Sequence, residues 1–400
     1  MQYRSKLSFF TLLLMISFAS VNAVLFTPAL PKIAIFFAIP TKIAQQTMTW
    51  FLIGFALGQL IYGPIANRFG RKPAIFLGIA LQIISSCMCA YAGLIHEFYI
   101  LLIGRFLLAV GSGVGFKMTF TLVNECYEPK IASQKISYLM LAFAIIPCLA
   151  TALGGLLTDY YGWISCFYAG AVYGLILLAL VMRLPETQRN LNFDALKVKN
   201  IIQSYLYQFK NIRLITGGLL MGSAITFLYV FSAVAPFVAI NIFGLNSKQY
   251  GMGTVLSAFG LILGSIISAR LVKRHAFIEI IRFGIFVIII GTIVMIITML
   301  MHLTVLFTLF IPIMIISFGK CFIVSNASTY AMSHISDTAQ GSAVMNFINI
   351  GLTTIIIIVL GLFPINILLL PMIYFLMCIM LIIIYKLLAS DLSAFRFSNY

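Results

Sequence analysis

Charge is what this chain has least of. Only 8% of its 400 residues are charged, and nine of these are acids against 25 bases, whereas soluble domains carry about 25% charged residues. A chain so poor in charge cannot cover the surface of a soluble globular domain. Histidine is scarce as well: His96, His275, His302 and His334 lie apart near the ends of apolar runs, without metal spacing or a nucleophile nearby. The seven cysteines, at 87, 89, 126, 148, 166, 321 and 378, contain no CxxC pair. They read as small buried residues, not as metal ligands or a disulfide framework. A G-x-x-x-x-G-K-S/T phosphate loop is missing too, which excludes ATP-driven transport by this chain alone. No cofactor, metal or catalytic residue is predicted, and an enzyme is the least favoured reading.

What is present is apolar length. Hydrophobic residues make up 62% of the chain, and a bilayer-spanning helix needs about 20 of them in a row. Charged or turn-rich breaks divide the chain into twelve such runs, centred on residues 7–29, 46–66, 73–93, 98–122, 135–158, 162–182, 214–240, 249–269, 277–300, 303–328, 338–361 and 364–386. The first has a rival reading. MQYRSKLSFFTLLLMISFASVNA has the basic start, apolar middle and small-residue end of a secretory signal peptide. Against cleavage, apolar character continues through Val24, Leu25 and Phe26, and removal would leave an odd number of spans.

The positive charges set an orientation. With both termini in the cytoplasm, 19 of the 25 basic residues fall on the inner side, Lys32, Lys42 and Lys248 fall outside, and Arg105, Lys117 and Lys320 fall within spans. The net charge of +16 is scattered over short loops, so attraction to membrane lipid accounts for it and a nucleic-acid partner is not implied.

The longest polar stretch separates two sets of six runs. The predicted organisation is a six-helix bundle over 1–183, a linker over 184–212 containing a short amphipathic helix, and a second six-helix bundle over 213–400. Sliding one half over the other by 202 residues aligns GQLIYGPIANRFGRK (58–72) with GLILGSIISARLVKR (260–274). Gly58 then meets Gly260, Asn124 meets Asn326, and Lys117 falls one residue from Lys320. Basic loops alone would not bring glycine, asparagine and lysine into one register, so the halves are read as a repeat.

At this point the residues carry a resemblance. GQLIYGPIANRFGRKP resembles the signature loop between spans 2 and 3 of the major facilitator superfamily, and Tyr62-Gly63-Pro64 before it is closest to the Bcr/CflA-type drug-resistance branch. LLIGRFLLAVGSG resembles the span 4 motif built on an arginine, here Arg105. IIPCLATALGGLLTDYYGW resembles the span 5 motif of the antiporter branches, here Pro147, Gly154 and Gly155, and Leu184-Pro185-Glu186-Thr187 sits where such transporters commonly carry LPET. The resemblance implies an all-α integral membrane protein of twelve helices in two pseudo-symmetric six-helix halves. It further implies a monomer in a bacterial inner membrane, exporting drugs or small metabolites by proton exchange and alternating access. Gly58, Asn67, Arg68, Gly70, Arg71 and Lys72 would form its conformational-switch motif. Two departures bear on coupling. Asn67 stands where the signature loop has Asp, and Val24, in VLFTPALPKIA, stands where the branch has an aspartate.

The remaining acids lie at span ends. Glu97 and Asp159 are placed outside; Glu125, Glu128, Glu186, Asp194, Glu279, Asp337 and Asp391 are placed inside or at inner ends. Only Glu125 and Asp337 are candidates for a proton-binding carboxylate, unless a desolvated lysine takes that role. Lys117 is the most exposed to this question, because a lysine near mid-membrane costs ~2.5–3.5 kcal/mol. It lies about seven residues from the inner end of its span, roughly 10 Å at 1.5 Å per residue, a depth from which its side chain can snorkel to water. Alternatively, Lys117 and Lys320 line a central cavity and favour a substrate bearing a carboxylate or phosphate. Arg105, Asn22, Asn346 and Asn349 complete the predicted substrate-binding set, the last two sharing a helical face; Thr27 and Asn326 are further polar neighbours. Three functions therefore stand: proton-coupled efflux, an organic-anion carrier or exchanger, and a non-transporting membrane sensor or enzyme.

Overall fold

A computed structural model describes residues 7–188, 191–192, 195–197, 202, 205–332 and 338–397. Arg4, Lys6, Arg189, Asp194, Lys199, His334 and Asp337 lie outside the described residues, as do the side chains of Lys130, Asp391 and Arg396. The protein is an all-α membrane protein. Among the described residues eleven helices are long and apolar enough to cross a bilayer, and Ser165–Val181, at 17 residues, is a shorter apolar helix where the sixth span is predicted.

In chain order the helices are α1 (Phe9–Val24), α2 (Gln46–Phe69), α3 (Arg71–Leu94), α4 (Phe98–Cys126), α5 (Pro129–Tyr161), α6 (Ser165–Val181), α7 (Ile212–Phe237), α8 (Ser247–Leu271), α9 (Phe277–Leu300), α10 (Ile311–Met332), α11 (Thr338–Leu360) and α12 (Leu369–Phe397). The first span is broken. Ser8 caps α1 through its hydroxyl, the helix stops at Val24, and the chain re-enters helix through Thr27–Ala29 and Leu30–Phe36. Pro28 and Pro31, each at the start of a new helical segment where no N–H is needed, fit this restart.

The chain forms two compact units, one of residues 1–206 with 246–252, the other of 207–245 with 253–400. In the first, α4 is the hub, packed on α1, α2 and α3. Its glycines make this possible: Gly111 lies against the Gly78 carbonyl of α3, a methyl group on Gly113 would stand 3.4 Å from Gly58 Cα on α2, and Gly115 lies against the Met15 carbonyl of α1. Small residues at such contacts let helix backbones approach where lipid supplies no hydrophobic drive.

In the second unit α10 holds the corresponding place. Gly260 of α8 packs on the Met314 carbonyl and Gly264 on that of Phe318, while Gly284 of α9 meets Gly319. The glycine that the 202-residue shift pairs with Gly58 therefore makes the same kind of contact, α8 on α10 as α2 on α4.

Candidate functional site

The helix break in the first span creates a polar junction. Asn22 lies one turn before the restart, and its carbonyl accepts Arg105 Nη1 at 2.8 Å; the Thr47 carbonyl of α2 accepts Nε at 3.4 Å. The guanidinium is sandwiched between the rings of Phe26 and Phe51, at 3.8 and 4.4 Å from their centroids. Delocalised charge and a planar fork suit arginine to such a place. Arg105 is 1% exposed, Nη2 has no partner, and none of the described contacts is a carboxylate.

The Asn22 side chain faces a second set of partners. Its amide donates to the Phe18 carbonyl at 2.8 Å, and its oxygen accepts Gln82 Nε2 at 2.9 Å. Gln82 also donates to Ser86 Oγ and the Gly170 carbonyl, each at 3.0 Å. Residues of α1, α2, α3, α4 and α6 thus meet around Asn22 and Arg105. Gln82 does not figure in the sequence reading. Its signal was available, since an amide in the middle of the apolar run of α3 is costly unless satisfied. Gln45, just before α2, is 1% exposed with both amide atoms unpartnered, and its place in the polar stretch AQQTMT gave no such signal.

Lys117 lies elsewhere. It is half-buried, its ammonium 3.5 Å from the Gln59 carbonyl and pressed against Gly63 of α2. In the second unit Lys320 is buried at 7% exposure, and Asn326 ties α10 to α8 through Ser268 Oγ at 3.4 Å. Asn346 and Asn349 are buried on α11, where Asn349 packs on Gly222 of α7 and Thr226 meets Thr353 at 2.8 Å. The Asn349 side-chain oxygen has no partner.

At the α2–α3 turn the predicted switch motif forms a clasp. Gly70, with φ of 102°, makes the turn; a side chain there would be strained. Arg71 Nε and Nη2 reach Glu125 Oε1 at 3.1 and 2.8 Å, and Nη1 reaches Asn67 Oδ1 at 2.7 Å. With Asn at position 67, the carboxylate that Arg71 meets is Glu125 of α4, and Asn67 accepts as a neutral oxygen. Thr187 donates to the other Glu125 oxygen. Glu186 caps the first turn of α3, accepting the backbone N–H of Arg71 and of Lys72 at 2.9 Å each, while Lys72 Nζ donates to the Met182 carbonyl at the end of α6. Beside this clasp is an open cavity of about 500 Å³, lined in part by Phe69, Lys72 and Phe76. Arg68 stands over the Phe69 ring at 6.0 Å.

In α5, Pro147 lies inside the continuous helix, Gly154 abuts the Leu25 carbonyl, and Gly155 abuts Ser247 and Gly251 at the start of α8.

Among the described residues no group of three His, Cys, Asp or Glu is placed to hold a metal.

The profile described as Major Facilitator Superfamily matches residues 12–352. An uncharacterized transporter of Rickettsia felis is 29% identical over 277 residues, 69% of this chain and 67% of that protein. A bicyclomycin resistance protein homolog of Haemophilus influenzae is 26% identical over 253 residues, 62% of each chain, and the multidrug transporter MdfA of Yersinia pestis is 29% identical over 240 residues, 60% of this chain and 58% of that one. The chain thus matches between 58% and 67% of the length of these relatives. Among solved structures, a D-xylose–proton symporter superposes with a TM-score of 0.72 at 14% identity, covering 93% of this chain and 96% of that one. The xylose transporter XylE from E. coli gives 0.74 at 13% identity, covering 96% of each. At that identity the likeness establishes the fold.

Proposed function

The chain belongs to the major facilitator superfamily, and from that premise we propose that it is a monomeric secondary transporter working by alternating access. It resides in a bacterial inner membrane with both termini in the cytoplasm, and exports drugs or small metabolites in the manner of the Bcr/CflA branch. The observation that carries the reading is the junction at Arg105, where a guanidinium joins α4 to the broken first span and to α2. A discontinuous helix with freed carbonyls is the kind of element around which transporters build their central sites. Two relatives, one named a bicyclomycin resistance protein homolog and the other a multidrug transporter, support export as the direction.

A second reading has its own support. Arg105 and Lys320 are buried cations, no carboxylate contacts Arg105 among the described residues, and Glu125 is engaged by Arg71 and Thr187. Fixed positive charge in a low-dielectric interior favours an anionic substrate, so an organic-anion carrier or exchanger using Lys117, Lys320, Arg105, Asn22, Asn346 and Asn349 is the alternative to proton-coupled drug efflux.

Uptake of fluorescent cationic and anionic probes into inverted vesicles, with and without an imposed pH gradient, separates the two. Efflux predicts cation accumulation driven by the gradient and unaffected by Lys117→Ala. The anion reading predicts anion movement alone, lost in Lys117→Ala.

A further inference from the structure

Span α2 carries a notch at Gly63-Pro64. Proline has no N–H, so the carbonyl four residues before it, that of Leu60, lacks its donor within the helix. Tyr205, in the segment between α6 and α7, donates its hydroxyl to that carbonyl at 2.9 Å. Gly63 adjoins the same place, and Lys117 of α4 fills the space its missing side chain leaves. A methyl group on Gly63 would collide with Lys117 Nζ and stand 3.6 Å from the Tyr205 hydroxyl. The ammonium is held on its other side near the Gln59 carbonyl. Thus α2 supplies a gap and a freed acceptor, α4 supplies a charge, and the inter-half segment supplies the hydroxyl.

We propose that Tyr205 is a positioning residue for Lys117: seated on the carbonyl that Pro64 frees, it closes the Gly63 notch over the ammonium and controls when that charge can leave α2. A lysine stem has four rotatable bonds and a strongly hydrated head, so a half-buried ammonium moves to water when a wall beside it withdraws. The phenol is such a wall, seated on α2 through the bond from its hydroxyl to the Leu60 carbonyl. What Lys117 does once released, binding an anionic ligand, rests on the anion reading of the proposed function; the positioning itself does not.

The test measures the reactivity of Lys117 in the full chain in membranes. Acetylation by a water-soluble N-hydroxysuccinimide ester is followed by mass spectrometry, with the exposed Lys273, read on the same inner side, as internal reference. Tyr205→Phe keeps the ring and removes the donor. It is expected to raise the Lys117 labelling rate between about two- and tenfold, the range that loss of one ordinary hydrogen bond allows. Pro64→Ala returns an N–H to α2 that competes with the Tyr205 hydroxyl for the Leu60 carbonyl and weakens its seat. Lys117 labelling should rise again, although the helix itself is mended, which a merely structural role for Tyr205 would not produce. Unchanged labelling in both variants overturns the proposal, as does a rise confined to Tyr205→Phe, because the freed carbonyl is then not the seat. If both variants label faster while no probe's transport depends on Lys117, the positioning stands and the anion reading fails.

Discussion

At the scale of single residues, Arg105 is the costliest commitment in the first unit. A buried charge survives only when its donors are used, and here two backbone carbonyls and two aromatic faces do most of that work. Lysine keeps the charge but has neither the fork nor the flat face. Arg105→Lys is therefore expected to destabilise the protein by ~1.5–3 kcal/mol, the worth of a hydrogen bond to a charged group, and to lower transport at least tenfold. Thermal unfolding in detergent and vesicle uptake measure the two effects. Gln82 makes a sharper distinction. Gln82→Leu removes the donor to Asn22, Ser86 and Gly170 at once, yet is expected to cost less than Gln82→Glu, which sets a buried carboxyl oxygen against the acceptors at Asn22 and Gly170; unfolding midpoints of the two variants compare them.

At the scale of elements, the clasp joins the start of α3 to the ends of α4 and α6. Glu186 performs the task of an N-cap from a distance of over a hundred residues, so Glu186→Ala should cost ~1 kcal/mol, in the range of lost helix caps. The Arg71–Glu125 pair is partly exposed, with side chains 12% and 29% accessible, and a double-mutant cycle should return only ~0.5–1 kcal/mol of coupling. Its greater effect is expected on transport, where Glu125→Gln should slow uptake more than it shifts the unfolding midpoint. Equal proportional losses would mean that the clasp only stabilises.

At the scale of the whole molecule, the two units are built on one plan, with α4 and α10 as hubs and glycines at the matching crossings. The start of α8 belongs with the first unit, through Gly155 against Ser247 and Gly251. Gly155→Leu places a branched side chain against backbone that cannot yield cheaply. It should abolish uptake of either probe class while leaving a folded, membrane-inserted protein, as checked by gel filtration and uptake on one preparation.

Composition and hydropathy determined the membrane class and the all-α fold, because a bilayer demands about 20 apolar residues per helix and leaves little room for alternatives. The motif around residues 58–72 and Arg105 were legible for the same reason: glycine, proline and charge are conspicuous in an apolar run. The partners were not. That Glu125 meets Arg71, that Gln82 holds Asn22, and that Tyr205 sits on the Leu60 carbonyl beside Lys117 depends on helices brought together from distant parts of the chain. A lysine in a span reads identically from sequence whether it snorkels, binds or is tethered. Only the packing of α2 against α4, with a glycine leaving room and a proline leaving an acceptor, decided where its charge rests.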